Sequence, residues 1–390
     1  MSSSVPTSSS RCVQQLLLAS LSRSRGLVSS ARGGLGRTVV PASTASRSLW
    51  TSSPSSPSAT ERPSTSPSSS SSSSSVHASE IAHFTRLASQ WWDPHGEFAL
   101  LHAMNPVRIE FVRSKLDEVR RWEAALRAAE VRRTNASGLE KGKERASSYE
   151  AGEGERASFG RTSFLEGLDV LDVGCGGGFL SEALCRLGAR TTGIDAASSN
   201  IQIARAHASL DPALTPPATD AAASSSSLQY RDCTAETLRD EGAQFDVICA
   251  MEVVEHVRNP ADFLRTLDGL LKPGGHLFLS TISRTPVAHF LTITMAEHIL
   301  RLVSPGTHTY TQYIKPEEMV DFFVRSQDQG GLGWVSRKEG EMTGVPDRLK
   351  YEVRGAAYLP WKSAWQLADR NASPSWSQLA NYFFWARKPL

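Results

Sequence analysis

Asp172-Val173-Gly174-Cys175-Gly176-Gly177-Gly178 is the stretch of the 390-residue sequence that decides the fold. It ends the short apolar run Leu168–Val173, which predicts a buried strand, and it precedes Phe179–Leu187, whose apolar spacing predicts a helix closed by Gly188. A glycine-rich turn between a strand and a helix lets the backbone approach a cofactor closely, with the helix N-terminus behind it. We therefore expect a cofactor site at this turn.

The glycine spacing in this turn favours S-adenosylmethionine over a dinucleotide. The dinucleotide fingerprint GxGxxG would need a third glycine where the chain has Phe179. Asp172 suits the charged ammonium and sulfonium region of S-adenosylmethionine, whereas a carboxylate there would repel a pyrophosphate. Asp195, at the end of the next predicted strand, supplies an acid for ribose hydroxyls, a device that both cofactor classes use. Asp172, Gly174, Gly176 and Asp195 are thus the predicted cofactor-binding residues.

Outward from this turn the chain alternates between strand and helix patterns. Further strands are predicted over Arg190–Ile194, Leu228–Tyr230, Phe245–Cys249 and His276–Ser280, the last after a turn at 272–275. Helices are predicted over Ser199–Ser209 and Pro260–Leu271 and, upstream of the turn, from Ile81 to the Trp91-Trp92-Asp93-Pro94 segment and from Pro106 to about Ala129. The alternation predicts an α/β, Rossmann-like fold: a mostly parallel sheet with helices on both faces.

The N-terminal part of the sequence differs in composition from the rest of the chain. Residues 1–60 are rich in serine and alanine, carry six arginines and contain no acidic residue before Glu61, which is typical of a mitochondrial transit peptide; an untargeted tail is the alternative. Residues 61–78 are Ser/Pro-rich and predict a disordered linker. The catalytic domain is therefore predicted over 79–390, with polar insertions at about 130–162 and 211–227.

Charge and cysteine content exclude several classes of protein. The formal net charge is +2, and subtracting the six arginines of the leader leaves about −4, so the remaining chain is not a basic nucleic-acid binder. The five cysteines are odd in number and form no CxxC pair, which argues against a disulfide framework and a zinc site. We expect a reducing compartment and no membrane-spanning stretch.

A cluster of acids and a histidine follows the fourth predicted strand. If the chain turns helical after Met251, then Glu252, Glu255 and His256 share one face. Three interpretations stay open from the residue types: a divalent-metal site, an acid–base site with His256 as the base, and a metal-free pair that shapes the cofactor pocket.

Two apolar segments carry similar alternatives. The stretch 286–303 is too polar to span a bilayer, and it could lie on a membrane surface, cap a pocket for a greasy substrate, or be an ordinary packing helix. Trp91 and Trp92 predict either core or lid positions.

Further motifs resemble those of the O-methyltransferases of ubiquinone biosynthesis, from about Phe84 to Ala386. The most specific of them are Trp91-Trp92-Asp93-Pro94, Gly96-Glu97-Phe98, Leu101-His102, Asn105-Pro106-Val107-Arg108, Gly306-Thr307-His308 and Ile314-Lys315-Pro316. The resemblance implies a class I methyltransferase fold with a seven-stranded sheet. The insertions at 130–162 and 211–227 and the stretch 345–377 depart from the family pattern.

The resemblance also implies site residues, cofactors and partners. Arg108, Gly174, Asp195 and Met251 would contact S-adenosylmethionine, and Arg108 makes physical sense as a cation for the cofactor carboxylate. Glu252, Glu255 and His256 would bind Mg²⁺, with Glu252 and His256 as the catalytic residues. The substrate would be a polyprenylated catechol, methylated on the matrix side of the inner mitochondrial membrane by a peripheral enzyme in a complex with other ubiquinone-synthesis proteins.

Two rival functions are kept beside this one. The first is a C- or N-methyltransferase that acts on another small molecule. The second is a methyltransferase-like scaffold that has lost turnover and serves a complex.

Overall fold

The computed structural model describes residues 75–138, 163–214, 227–335 and 345–390. The predicted transit peptide, linker residues 61–74, and 139–162 and 215–226 of the two predicted insertions lie outside the described residues. Within them the strands are β1 (Asp169–Val173), β2 (Arg190–Asp195), β3 (Ser227–Asp232), β4 (Phe245–Met251), β5 (Leu271–Ile282), β6 (Tyr351–Leu359), β7 (Ala364–Leu367) and β8 (Asn381–Arg387).

These strands form one mostly parallel sheet in the order β3-β2-β1-β4-β5-β8-β6-β7. The pairs among β1 to β5 are parallel, and β8, β6 and β7 continue the sheet with antiparallel pairs. The expected α/β class is confirmed, but the count of seven strands is wrong, since the described sheet has eight. The edge strand β7 has only four residues and returns directly on β6. So short a hairpin arm carries too little alternation to be recognised from sequence.

The helices cover both faces of this sheet. They are α1 (Ala78–Leu87), α2 (Ala99–Gly138), α3 (Phe179–Arg186), α4 (Ser198–Ala208), α5 (Ala235–Asp240), α6 (Pro260–Leu270), α7 (Pro286–His289), α8 (Pro316–Val324) and α9 (Pro374–Ser377). A π-helix, Phe290–Ile299, continues α7, and a 3₁₀ turn, Val254–His256, follows β4. Two large clusters make up most of the described hydrophobic core, one containing Leu264 of α6 and the other Phe111 of α2.

Helix α2 begins earlier than the sequence predicts. The prediction placed its start at Pro106, whereas the helix begins at Ala99 and has this proline inside it. A proline inside a helix removes one hydrogen bond and costs about 3 kcal/mol. Met104, Val107 and Phe111 are buried on both sides of the proline, and their packing outweighs that cost.

The predicted turn at 272–275 lies within the bounds of β5. Phe245 pairs with Leu271 and Val247 pairs with His276, so the residues between them bulge out of the ladder. Gly274 has φ +75°, as a tight turn requires. The regular pairing of β5 with β4 therefore begins at His276.

The strand order places the glycine turn at a crevice. β1 lies between β2 and β4, and the chain direction across the sheet reverses between β1 and β4. Ligands of open α/β sheets bind beyond the carboxyl ends of strands at such a reversal. Within the described residues no helix is both long and apolar enough to cross a membrane.

Candidate active site

A cavity of about 1650 Å³ opens at the carboxyl ends of β1, β2 and β4. The glycine turn and the acid–histidine cluster line it, and so do apolar residues from the segment after β5. Every site residue predicted from the sequence lies on its wall: Arg108, Asp172, Gly174, Gly176, Asp195, Met251, Glu252, Glu255 and His256. The fold therefore brings all nine together, although four separate elements carry them: α2, β1 with its glycine turn, β2, and β4 with the turn after it.

The glycine turn is packed so closely that side chains would not fit. Gly174 and Gly176 have φ +68° and +52°. A Cβ at Gly176 would lie 2.4 Å from the ring of Trp91, and one at Gly174 would lie 2.6 Å from a methyl group of Val253. The turn is thus held between the segment before α2 on one side and the segment after β4 on the other.

The paired tryptophans hold this turn in place. Trp91 stacks on Phe98 with ring centroids 3.7 Å apart, and its Nε1 donates to Asn200 Oδ1 at 2.9 Å. Trp92 Nε1 donates to the carbonyl oxygen of Gly177 at 2.8 Å. Both rings act as packing supports of the cofactor turn, and the indole hydrogen bonds fix where they sit.

Asp195 is fixed at the cavity wall by three donors. Its Oδ2 accepts from the backbone N–H of Gly176 at 3.0 Å, and its Oδ1 accepts from the N–H of Ala197 at 2.8 Å and from Asn200 Nδ2 at 3.2 Å. Burial raises the pKa of Asp195, while these hydrogen bonds favour its charged form. The carboxylate of Asp195 therefore links the ends of β1 and β2 by hydrogen bonds and is fixed in position on the cavity wall.

Asp172 and Arg108 form a buried pair of opposite charges at the base of the cavity. Asp172 is only 2% exposed, and its Oδ2 accepts from Ser181 Oγ at 2.6 Å. Burial raises the pKa of Asp172 to about 6, against the opposing effects of Ser181 and Arg108. Burial lowers the pKa of Arg108, whereas the charges of Glu252 and Asp172 raise it.

The guanidinium of Arg108 is not fully satisfied by the protein. Its Nε is buried and has no hydrogen-bond partner among the residues that the structure describes. A buried guanidinium with an open donor suits a carboxylate or phosphate ligand, because leaving a buried donor without a hydrogen bond costs free energy.

Glu252 has a strained backbone that aims it into the cavity. Its φ is +57°, and its N–H donates to the carbonyl oxygen of Ser280 on β5 at 3.0 Å. Its Oε1 is buried and has no partner within the described part of the chain. The helical turn begins only at Val254, so the predicted helical face containing Glu252, Glu255 and His256 is wrong.

Glu255 and His256 are each held by a partner. Thr281 Oγ1 donates to Glu255 Oε2 at 2.9 Å, and burial together with the charge of Glu252 raises the pKa of Glu255 to about 7. His256 Nδ1 lies 3.0 Å from Glu80 Oε2 of α1. Burial by itself lowers the pKa of His256, but the bond to Glu80 and the neighbouring carboxylates outweigh it and raise that pKa.

The acid–histidine cluster does not form a three-ligand metal site within the described residues. Among residues 75–138, 163–214, 227–335 and 345–390, no three His, Cys, Asp or Glu side chains are placed to hold one. Glu255 Oε2 accepts from Thr281 and His256 Nδ1 pairs with Glu80, so one polar atom of each side chain is already engaged within the protein. The geometry therefore does not support the predicted magnesium site.

Sequence reasoning missed the supporting residues of the site. These are Glu80, Ser181, Asn200 and Thr281, which hold His256, Asp172, Asp195 and Glu255. It also missed the pairing of Glu297 with His308, although His308 was part of a singled-out motif. Each partner comes from another element, so no local spacing signals it.

Comparisons with known proteins agree on a family. A profile described as a methyltransferase domain matches residues 126–326. The mitochondrial ubiquinone biosynthesis O-methyltransferase of Schizosaccharomyces pombe is 36% identical over 319 residues, which is 81% of this chain and 88% of the relative. The ubiquinone biosynthesis O-methyltransferase of Ruegeria pomeroyi is 35% identical over 76% of this chain and 93% of its own length. The chain belongs to the ubiquinone biosynthesis O-methyltransferase family.

Membership confirms the resemblance drawn from the motifs. A mitochondrial member from Arabidopsis thaliana is 35% identical over 75% of this chain and 71% of the relative. The protein is an S-adenosylmethionine-dependent O-methyltransferase.

Proposed function

We propose that the protein transfers the methyl group of S-adenosylmethionine to a catechol oxygen of a polyprenylated intermediate in ubiquinone biosynthesis. The names of its relatives support the pathway. The observation that carries the proposal is the unpartnered, buried Nε of Arg108 on the wall of the cavity that Asp172 also lines. Such a pair of opposite charges suits an amino-acid group, which has one charge of each sign.

In this proposal the cofactor lies across the glycine turn. Arg108 binds its carboxylate and Asp172 its ammonium, while Asp195 accepts hydrogen bonds from the ribose. Gly174 and Gly176 let the backbone approach, and Met251 at the end of β4 lies against the cofactor. A charged ammonium beside Asp172 would offset the burial cost of that carboxylate.

The acceptor lies beside the turn that follows β4. Val253 of that turn packs against Gly174, which places Glu252 and His256 next to the cofactor turn. A free phenol, with a pKa near 10, is a weak nucleophile at neutral pH. We assign proton removal to His256, held by Glu80; as the O–C bond forms and the C–S bond breaks, the proton moves from the phenol to the imidazole. Binding both reactants in line supplies much of the remaining acceleration.

The prenyl tail lies along the segment after β5. Only Ala288 and Glu297 are buried in residues 286–303, so this stretch is not an ordinary packing helix. Four exposed apolar side chains of this segment line the cavity: Val287, Phe290, Leu291 and Leu302. Trp361, in the turn between β6 and β7, is also exposed and lines the cavity. This apolar rim, as we call these five residues, suits a greasy tail and contact with a membrane surface.

The proposed mechanism does not use magnesium, because no three His, Cys, Asp or Glu side chains of the described residues are placed to hold an ion. Activity in excess chelator, compared with activity in added Mg²⁺, tests that choice. Unchanged turnover supports His256 as the base, whereas reversible loss in chelator would restore the metal site that the family resemblance implies.

We also propose a location and partners for the protein. The mitochondrial relatives of yeast and plant and the arginine-rich leader support import into mitochondria. The apolar rim supports a peripheral position on the matrix side of the inner membrane, within a complex of ubiquinone-synthesis proteins. Imaging a tagged full chain and testing carbonate extraction of membranes would test the position, and co-purification would test the complex.

The decisive experiment is a methyl-transfer assay with the full chain. Labelled S-adenosylmethionine and a short-chain prenyl dihydroxybenzoate should give a product methylated on oxygen. A product methylated on carbon or nitrogen would replace the proposed acceptor. Absence of S-adenosylmethionine binding in calorimetry would favour the inactive scaffold instead.

A further inference from the structure

A second carboxylate–imidazole pair lies outside the site described so far, with only its imidazole on the cavity wall. Glu297 of the π-helix is 1% exposed, and its Oε1 lies 2.8 Å from His308 Nδ1. The same carboxylate accepts from the backbone N–H of His308 at 2.8 Å and from that of Gly306 at 2.7 Å. His308 lines the cavity and Glu297 does not. The imidazole of His308 thus faces the cavity, and the buried carboxylate of Glu297 holds it from behind with its own hydrogen bonds.

The hydrogen bonds determine the tautomer of His308. Burial alone would raise the pKa of Glu297, but the donors from His308 and Gly306 outweigh it and lower that pKa, so Glu297 is an acceptor only. His308 Nδ1 must therefore donate. Its Nε2 is the ring nitrogen left for a ligand, and in the neutral ring it is an acceptor.

The turn that carries His308 is held rigidly. Glu97 accepts from the N–H of Ser304, and Thr307 Oγ1 donates to the carbonyl oxygen of Ser304 at 2.7 Å. Rigid support of this kind is what a residue needs if it is to bind a ligand group in one geometry.

Tyr313 packs beside the Glu297–His308 pair. Tyr313 is buried, its ring centroid is 6.4 Å from that of His308, and its hydroxyl lies 2.6 Å from Thr292 Oγ1. Burial raises the pKa of Tyr313, and the charges of Glu255, Glu297 and Glu252 add to the rise. His308 lines the same cavity as Glu252, Glu255 and His256, so a ligand in that cavity is open to contact from both sides.

We propose that His308 accepts a hydrogen bond, through Nε2, from the catechol hydroxyl that is not methylated, and that Glu297 is its positioning residue. This inference rests on the proposed function. The reacting oxygen has to lie beside the glycine turn and Glu252, whereas His308 approaches from the wall formed by the segment after β5. An acceptor there distinguishes a catechol from a monophenol, because the monophenol leaves it unpaired.

The test compares two acceptors, a prenylated catechol and the matching monophenol whose second hydroxyl is absent, in the wild type and in His308→Phe. Removing the hydroxyl should lower kcat/KM by roughly 10- to 100-fold in the wild type and by less than about threefold in the variant, since only one of them has the hydrogen bond to lose. His308→Gln, which retains an acceptor, should keep part of the preference. A variant that prefers the catechol as strongly as the wild type would overturn the inference.

Two controls and one further variant show whether a lost preference comes from His308 itself or from a folding defect. His298→Gln changes an exposed histidine of the same segment that does not line the cavity, and it should leave the preference unchanged. Affinity for S-adenosylmethionine should stay constant in His308→Phe, which excludes a folding defect. Glu297→Gln should reduce the preference in part, because a neutral amide no longer fixes the tautomer.

Each arm is repeated in chelator and in Mg²⁺. A preference that persists in His308→Phe only with Mg²⁺ would assign recognition of the second hydroxyl to the metal and would overturn the inference. If the wild type methylates neither acceptor, the proposed function fails instead.

Discussion

At the scale of single residues, the site depends on charges that the protein buries at a cost. Arg108 and Asp172 are both almost fully buried, and each loses the solvation that its charge would have in water. A protein keeps such groups where a ligand completes their interactions. Substitutions of Arg108 and Asp172 should therefore change cofactor affinity and the free energy of unfolding by different amounts.

The first prediction concerns Arg108. Arg108→Met should raise the dissociation constant for S-adenosylmethionine by roughly 30- to 150-fold, because a charge-assisted bond to a carboxylate contributes about 2–3 kcal/mol. Titration calorimetry measures the change. The matched control is Arg113→Met, which removes an exposed arginine of the same helix and should leave affinity unchanged. Equal affinities for the two variants would remove Arg108 from the cofactor site.

The second prediction concerns Asp172, whose pKa in the folded protein is about 6. Since this value is raised above that of the unfolded chain, the folded state binds the proton more tightly and loses stability as pH rises from about 4 to about 6. Asp172→Asn removes the buried charge, so it should stabilise the free protein by about 1–3 kcal/mol at pH 7 and have little effect at pH 4.

Urea unfolding at the two pH values checks the stability of Asp172→Asn, and calorimetry checks its cofactor binding. Affinity for S-adenosylmethionine should fall at least tenfold, and affinity of the wild type should weaken below about pH 6 as Asp172 is protonated. A variant that binds the cofactor as the wild type does would show that Asp172 does not contact the ammonium.

At the scale of elements, the glycine turn depends on the segment that covers it. The Trp91 ring occupies the space that a Cβ at Gly176 would need, while Trp92 hydrogen-bonds the turn itself. The sequence predicted both the turn and the tryptophans, but as unrelated features. Their contact joins positions more than eighty residues apart, so it arises from packing and not from local pattern.

The third prediction tests that contact with two glycines. Gly176→Ala should destabilise the fold by several kcal/mol and abolish cofactor binding, because the new methyl group would collide with Trp91. Gly242→Ala is the control: Gly242 also has positive φ, at +77°, but nothing lies within 4 Å of its added Cβ. The control should cost only the backbone strain of about 1–2 kcal/mol. Equal losses in urea unfolding would mean that backbone strain alone governs both sites.

The turn after β4 shows a limit of periodicity at the same scale. The spacing of Glu252, Glu255 and His256 matches a helical face, but Glu252 adopts φ +57° and the helical turn starts two residues later. The N–H of Glu252 bonds to Ser280 of the neighbouring strand instead. A hydrogen bond across the sheet decides this conformation, and the local sequence does not contain it.

At the scale of the whole molecule, one cavity joins a charged half to an apolar half. The charged half lies at the strand ends, and the apolar rim opens toward solvent beside it. This division suits a substrate with a polar head and a greasy tail, and it places the exposed apolar side chains at the entrance.

The fourth prediction follows from the apolar rim. Phe290 and Trp361 are 52% and 54% exposed, and replacing both with serine should weaken binding to vesicles of phosphatidylcholine and phosphatidylglycerol by at least tenfold. The control Trp376→Ser removes another tryptophan, 62% exposed, that does not line the cavity. Vesicle flotation measures binding, and unchanged cofactor affinity verifies the fold. Loss of binding in the control as well would argue against a specific membrane face.

The sequence by itself determined the α/β class, the cofactor and the family, because these depend on residues close together in the chain. The strand–turn–helix pattern from Leu171 to Phe179 and the absence of a third dinucleotide glycine are local features. The tertiary structure alone decided the eighth strand, the conformation of Glu252 and the partners of His256 and His308. Each of these depends on a hydrogen bond or packing contact between groups that only folding brings together. The sequence singled out Glu252, Glu255 and His256 as one cluster, and the fold places all three on the cavity wall. Within the described residues, no three side chains are placed to hold a metal ion.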